Sequence, residues 1–194
     1  NNSFPIGISR LKTRKQEEVL HRPINNVGEL LSRIKDFNMN LYQCCLLTYG
    51  CLLRPHREIR LLKWSEFSND LSHITLSGNQ VKSKRNRIVP VPNYIKEILI
   101  GKESNLNIFS NNISPYNKGY FSLLWRRFKR LNPDIQGSVT IYSFRHTGAL
   151  EIFKRTGSIT KLQKAMGHSS IKVSLTYLRG LEIPELSEED MPMI

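Results

Sequence analysis

Between residues 70 and 92 the apolar pattern of this chain changes period, and that change limits the folds open to it. "HITLSG" and "RIVPVP" are short, β-branched runs on either side of the polar, basic "NQVKSKRN". They predict a small antiparallel hairpin or three-stranded sheet. In most of the remaining chain from Pro23 onward the apolar residues recur at helical spacing, whereas residues 1–22 show no convincing apolar period. Val27, Leu30, Leu31 and Ile34 follow Asn25 and Asn26, either of which can cap a helix, and Asn38 and Asn40 punctuate its end. "LYQCCLLTYGCLL" is apolar nearly all round, the pattern of a buried helix. "REIRLLKWSEF" predicts a third helix with Ile59, Leu62 and Phe67 on one face. After the β-branched segment, "NYIKEILI" reads as helix with Asn93 at its cap and a break at Gly101. "NKGYFSLLWRRFKRLN" is strongly amphipathic, with Phe121, Leu124, Trp125 and Phe128 opposite Arg126, Arg127, Lys129 and Arg130. "SFRHTGALEIFKRTG" and "SITKLQKAMGH" predict two short closing helices, with Gly157 and Gly167 as C-terminal caps and Ser158 starting the second. The expected class is α+β, mainly α-helical with one small antiparallel sheet.

At 194 residues the chain suits one sizeable domain, or a domain plus an arm. No apolar run is long enough to cross a bilayer and no signal-peptide pattern opens the sequence, so no membrane partner is expected. Cys44, Cys45 and Cys51 are odd in number and crowd one apolar segment. This argues for buried thiols in a reducing compartment, and a cytoplasmic, DNA-associated protein is expected. They lack the second Cys/His pair of a zinc site. The formal net charge of +13 favours a polyanion, nucleic acid before membrane. Residues 181–194 hold Glu182, Glu185, Glu188, Glu189 and Asp190 and no Lys or Arg, a net of −5, so the remainder carries +18. Residues 1–22 mix Pro, Gly and Ser with Arg10, Lys12, Arg14 and Lys15 and predict a basic arm or linker. The chain opens Asn-Asn rather than on methionine, and a preceding domain is expected.

A basic helix face or hairpin rim is ordinarily a solvated surface. Here several separate elements offer cations suited to phosphate: Arg54 beside Pro55, the group Lys82, Lys84, Arg85 and Arg87, the face at 126–130, and Arg145. His168 and Tyr177 stand nine residues apart. On an unbroken helix that is about two and a half turns, which places them on opposite faces. They converge only if the helix breaks, and Gly167 with Ser169 and Ser170 supplies a break.

"SFRHTG" followed by "MGHSSIKVSLTYLR" resembles the C-terminal signature of the tyrosine recombinase (phage integrase) family. "YGCLLRPHREIRLLKW" looks like that family's first arginine box, and "VKSKRNRIVPV" like its β-hairpin lysine segment. The four motifs come in the family's order with near-family spacing, over roughly residues 24–180. The resemblance implies the family's mainly helical DNA breaking-rejoining fold over residues 23–180, preceded by a core-binding domain. It implies double-stranded DNA as partner, a homo-oligomer on DNA that reaches a tetrameric synapse, and no metal or cofactor. In position, residues 181–194 resemble the segment by which family members dock on a neighbouring protomer. The implied source is bacterial or phage-encoded.

The chemistry can be stated apart from the family. Charge on a phosphodiester deepens as a nucleophile attacks phosphorus, and forked guanidiniums suit its nonbridging oxygens. Arg54 and Arg145 are the candidates, with Arg57 an alternative to Arg54. A lysine near the phosphate can protonate the leaving 5′-oxygen. Lys82 fits by its place eight residues before Pro90, as the family's lysine stands before its "VP" step, and Lys84 is second. A phenol can carry the phosphoryl group covalently and preserve the bond energy for rejoining, which makes Tyr177 the candidate nucleophile and His168 a hydrogen-bond donor or proton partner. Glu58 is a candidate for orienting a site group. Tyr142 stands where the family has a histidine, three residues before the second arginine, and His146 follows that arginine as a structural candidate. Two other functions share these features: a type IB topoisomerase-like enzyme that relaxes supercoils alone, and a DNA-binding module that kept the scaffold without the activity.

Overall fold

The computed structural model describes residues 22–79, 86–99 and 105–178. Helix α1 (Val27–Phe37) begins where the Asn26 side chain accepts from the Glu29 N–H at 3.2 Å. It buries Leu30, Leu31 and Ile34. Asn38 both ends α1 and starts α2 (Met39–Gly50). Its N–H donates to the Ile34 carbonyl at 2.9 Å, and its side chain accepts from the Leu41 N–H at 3.0 Å. One asparagine thereby turns the chain between two helices, and Asn40 lies inside the second rather than marking an end.

Helix α2 buries Leu41 and every residue from Cys44 to Thr48, as its nearly all-round apolar run predicts, and Cys44, Cys45 and Cys51 are free, buried thiols. The third helix expected from "REIRLLKWSEF" does not form. Two 3₁₀ turns, Ile59–Leu61 and Trp64–Glu66, take its place with Leu62 extended between them. The cause is distant in sequence. The side-chain amide of Asn107 donates to the Arg60 and Leu62 carbonyls at 2.8 and 3.0 Å, and the Ile108 N–H also donates to Leu62. Carbonyls that a helix would use within itself are thus taken by a loop some 45 residues on.

Strands β1 (His73–Leu76) and β2 (Arg87–Pro90) pair antiparallel, from His73 opposite Pro90 to Leu76 opposite Arg87. Ile74, Leu76 and Val89 face the core. This is the hairpin the β-branched runs predict, two-stranded among the described residues. Helix α3 is only Asn93–Lys96, with Pro92 rather than Asn93 at the N-cap. Helix α4 (Tyr120–Leu131) buries Phe121, Leu124, Trp125 and Phe128, the apolar stripe read from the sequence.

Helix α5 (Ile141–Thr156) crosses α2 at close quarters, and Gly148 makes that approach possible: a Cβ there would sit 2.1 Å from the Tyr49 carbonyl oxygen. Gly157 ends α5 at φ +60°, Ser158 caps α6 (Ile159–Met166), and Gly167 ends α6 at φ +64°, all as predicted. The short helix α7 (Ile171–Leu175) and a 3₁₀ turn, Thr176–Leu178, close the described chain. Beside the main core, Leu52, Ala149, Leu162 and Met166 form a smaller cluster against which Tyr177 and Leu178 pack. That cluster fixes where the end of the chain meets α5.

Candidate active site

Arg145 lies in the first turns of α5 and is 2% exposed. Its Nε donates to the Leu52 carbonyl at 2.8 Å and its Nη2 to the Met166 carbonyl at 2.7 Å. The third contact, Nη1 to the Tyr177 hydroxyl at 3.2 Å, points the remaining edge of the fork at the phenol. Burial pulls the Arg145 pKa down and the nearby Tyr177 hydroxyl opposes that, while Arg54 acts with the burial. Leu52 accepts Arg145 from a left-handed backbone, φ 52°, uncommon for a bulky residue and seen where the surroundings enforce it.

Glu58 is 1% exposed and its carboxylate is held by Arg54 twice over. The Arg54 N–H donates to Oε2 at 2.8 Å, and Nη1 donates to Oε1 at 2.6 Å. Of Arg54 and Arg57 it is Arg54 that makes these contacts with Glu58, while Arg57 is exposed. Pro55 and the turn that follows make the four-residue spacing workable, because the Glu58 and Ile59 N–H groups both return to the Arg54 carbonyl.

The break between His168 and Tyr177 is present. α6 stops at Met166, Gly167 turns the chain and α7 starts at Ile171, so the two side chains meet with ring centroids 5.4 Å apart. Two contacts were not legible in the sequence. The His168 Nδ1 is hydrogen bonded to the Ser174 hydroxyl at 3.0 Å, and Ser174 is fully buried. His146, given a structural role from sequence, also stacks on Tyr177, at 5.5 Å and 28° between planes. The phenol thus has two imidazoles as ring neighbours. Ser174 lies three residues before Tyr177, a spacing that shares one helical face and was the available signal for it.

Tyr142 is half-buried, its ring 6.0 Å from that of His56. Burial raises its pKa, and the charges of Arg145 and Arg54 act against that, which puts the hydroxyl within their field. The Nδ1 of His56 is buried without a hydrogen-bond partner among the described residues.

The cationic elements divide. Lys82, Lys84 and Arg85 lie outside the described residues. Arg87 was expected to face DNA, but its guanidinium turns inward: Nη2 donates to the Ala165 carbonyl and Nη1 lies 3.7 Å from Glu58 Oε2. Arg126, Arg127 and Arg130 are exposed on α4. Lys129 is engaged instead, its Nζ donating to the Gly137 and Val139 carbonyls at 3.0 and 3.5 Å. Among the described residues no group of three or more His, Cys, Asp or Glu could hold a metal ion, and no helix is long and apolar enough to cross a membrane.

The site therefore joins a fixed phenol to two arginines, one carboxylate and two imidazoles. Such a set can bind an oxyanion, stabilise added negative charge on it and present an oxygen nucleophile. Comparison with known proteins agrees. The model of the phage integrase family matches residues 23–182. A putative integrase of Pseudomonas phage Pf1 is 25% identical over 181 residues, which is 89% of this chain and 49% of that protein. The chain thus spans about half the length of this curated relative. Among solved structures, a lambda integrase dimer bound to a COC′ core site is similar with a TM-score of 0.67 and 17% identity, covering 89% of this chain and 65% of that one. The XerA recombinase crystal structure is similar with a TM-score of 0.62 and 20% identity, over 91% of this chain and 63% of that one. The two structural likenesses establish a common fold.

Proposed function

The chain belongs to the phage integrase family, and on that premise we propose that it is the catalytic domain of a site-specific DNA recombinase. The observation that carries the reading is the 3.2 Å contact of the Arg145 Nη1 with the Tyr177 hydroxyl, beside the Arg54–Glu58 pair. In the proposed step the Tyr177 oxygen attacks a phosphorus in one DNA strand. An oxygen–phosphorus bond forms to the phenol and the bond to the 5′-oxygen breaks, leaving a 3′-phosphotyrosyl link. The phenolic proton passes to His168 or through it to solvent, and Lys82 gives a proton to the leaving 5′-oxygen. Arg54 and Arg145 hold the nonbridging oxygens as charge grows on them, which supplies electrostatic stabilisation without a cofactor. Glu58 orients Arg54, and the Tyr142 hydroxyl adds a donor at the phosphate. Attack by the 5′-hydroxyl of a second strand reverses the chemistry and completes exchange.

Double-stranded DNA is the proposed partner, and Lys84, Arg85, Arg126, Arg127 and Arg130 are proposed as backbone contacts. The neighbour named as a lambda integrase dimer on a core site supports this for the fold. We assign residues 1–22 to a linker from a core-binding domain. Residues 181–194 are assigned to an assembly element, their five carboxylates suited to the basic body of a second protomer. Residues 1–21 and 181–194 lie outside the described residues.

The test is a suicide-substrate assay on nicked DNA in EDTA, comparing the wild type with Tyr177→Phe. A covalent protein–DNA adduct formed by the wild type alone supports the reading. No adduct from the full-length protein on its own site would leave a DNA-binding module. Relaxation of supercoils by a monomer without strand exchange would favour the topoisomerase-like alternative.

A further inference from the structure

Arg87 opens β2, yet its side chain is 9% exposed and spends its guanidinium on two other segments. Nη1 faces the Glu58 carboxylate at 3.7 Å, on the oxygen that also accepts the Arg54 N–H. Nη2 donates to the carbonyl of Ala165, in the last turn of α6. The same guanidinium lies across Gly167: a Cβ at that position would stand 3.0 to 3.2 Å from Arg87 Cδ, Nη1 and Cζ. Gly167 thus has two reasons to be glycine, its left-handed backbone and the arginine packed over it. Burial pulls the Arg87 pKa down to about 10, against the pull of Glu58, so the group stays charged at neutral pH.

We propose that Arg87 is a positioning residue that staples the hairpin, the Arg54–Glu58 turn and the Gly167–His168 turn into one unit. This rests on the recombinase reading of the site. The physical case is that a buried cation is tolerated only where it is paired and hydrogen bonded. Each contacted segment bears or adjoins a proposed site residue, Arg54 on the first and His168 just past the second, and Lys82 stands ahead of β2 in sequence. A planar fork is needed because the carboxylate and the carbonyl lie on different edges of the group, which a lysine cannot span. Arg87 therefore acts through Arg54 and His168 and does not touch the phosphate.

The test uses the full-length protein with Arg87→Lys and Arg87→Met, and measures DNA affinity across salt concentrations beside single-turnover adduct formation at saturating DNA. A positioning role predicts that affinity changes by no more than about twofold and that the slope of log affinity against log salt is unchanged. Adduct formation should slow by about tenfold or more in both variants, since small displacements of reacting groups are costly. A salt slope smaller by about 1 with weaker binding would make Arg87 a phosphate contact and overturn the proposal. So would full-rate cleavage by either variant, or a loss of melting temperature with cleavage unaffected. If the wild type forms no adduct, the recombinase reading fails on its own terms, and the staple is then read from the His168 ring signals in NMR. Those signals should shift in Arg87→Lys, the less disruptive variant, and an unchanged ring would overturn the proposal.

Discussion

The hydroxyl of Ser174 and the Nδ1 of His168 are 3.0 Å apart, and that contact decides which nitrogen the imidazole offers. With Nδ1 engaged by Ser174, that contact sets the role of Nε2, since the partner of one ring nitrogen sets the role of the other. Ser174 is buried on α7 and Tyr177 lies in the adjoining 3₁₀ turn, so the proposed nucleophile and the partner of His168 are positioned by one short stretch. Ser174→Ala removes the hydroxyl and leaves the fold's volume nearly unchanged. It should slow single-turnover cleavage by about tenfold. Ser174→Thr, which keeps the hydroxyl, should restore most of the rate. Full-rate cleavage by Ser174→Ala would show that the contact does not govern the imidazole.

At the scale of elements, the crossing of α2 and α5 carries the site. Arg145 on α5 reaches the Leu52 carbonyl just beyond α2 only because the two helices approach closely at Gly148. A methyl group there would press on the Tyr49 backbone, which no rotamer can relieve. Gly148→Ala is accordingly expected to destabilise the fold by about 3 kcal/mol, the upper end for overpacking, although alanine is the better helix former. Urea denaturation measures it; a gain in stability would mean that the helices separate freely. The elements differ in how far the sequence reveals them. α1, α4 and α6 are legible because their apolar stripes and their Asn26, Ser158, Gly157 and Gly167 signals are local. The stretch at 57–67 is not, because Asn107 captures its carbonyls from far along the chain. The site divides in the same way. Arg54, Glu58, Arg145, His168 and Tyr177 stand in spaced motifs, whereas the inward turn of Arg87 and the stacking of His146 depend on side-chain direction, which spacing does not encode.

The whole molecule rests on one main core with α2 within it, and the cysteines report on that core's integrity. Burial raises the thiol pKa of all three, with Cys51 pushed up to about 12 from an ordinary value of 9.0. A thiol is reactive as thiolate, so the native protein should be inert to Ellman's reagent at pH 8. Because Cys44, Cys45 and Cys51 lie in the same core, they should react together, at rates that rise with urea along the global unfolding curve. One thiol reacting early would mean that the end of α2, next to Leu52 and Arg145, opens separately from the rest. The same burial fixes the sign of the pH dependence. The folded pKa is above the unfolded one, so the contribution of these thiols is fully present below pH 9 and is lost as pH rises toward their folded values. Each thiol then removes about 1.4 kcal/mol per pH unit. Stability measured between pH 8 and 10 should fall, and Cys51→Ala should make the fall shallower by one thiol's share. An unchanged slope in that variant would show that Cys51 titrates alike in both states, and that the core beside the arginine cluster is open to water.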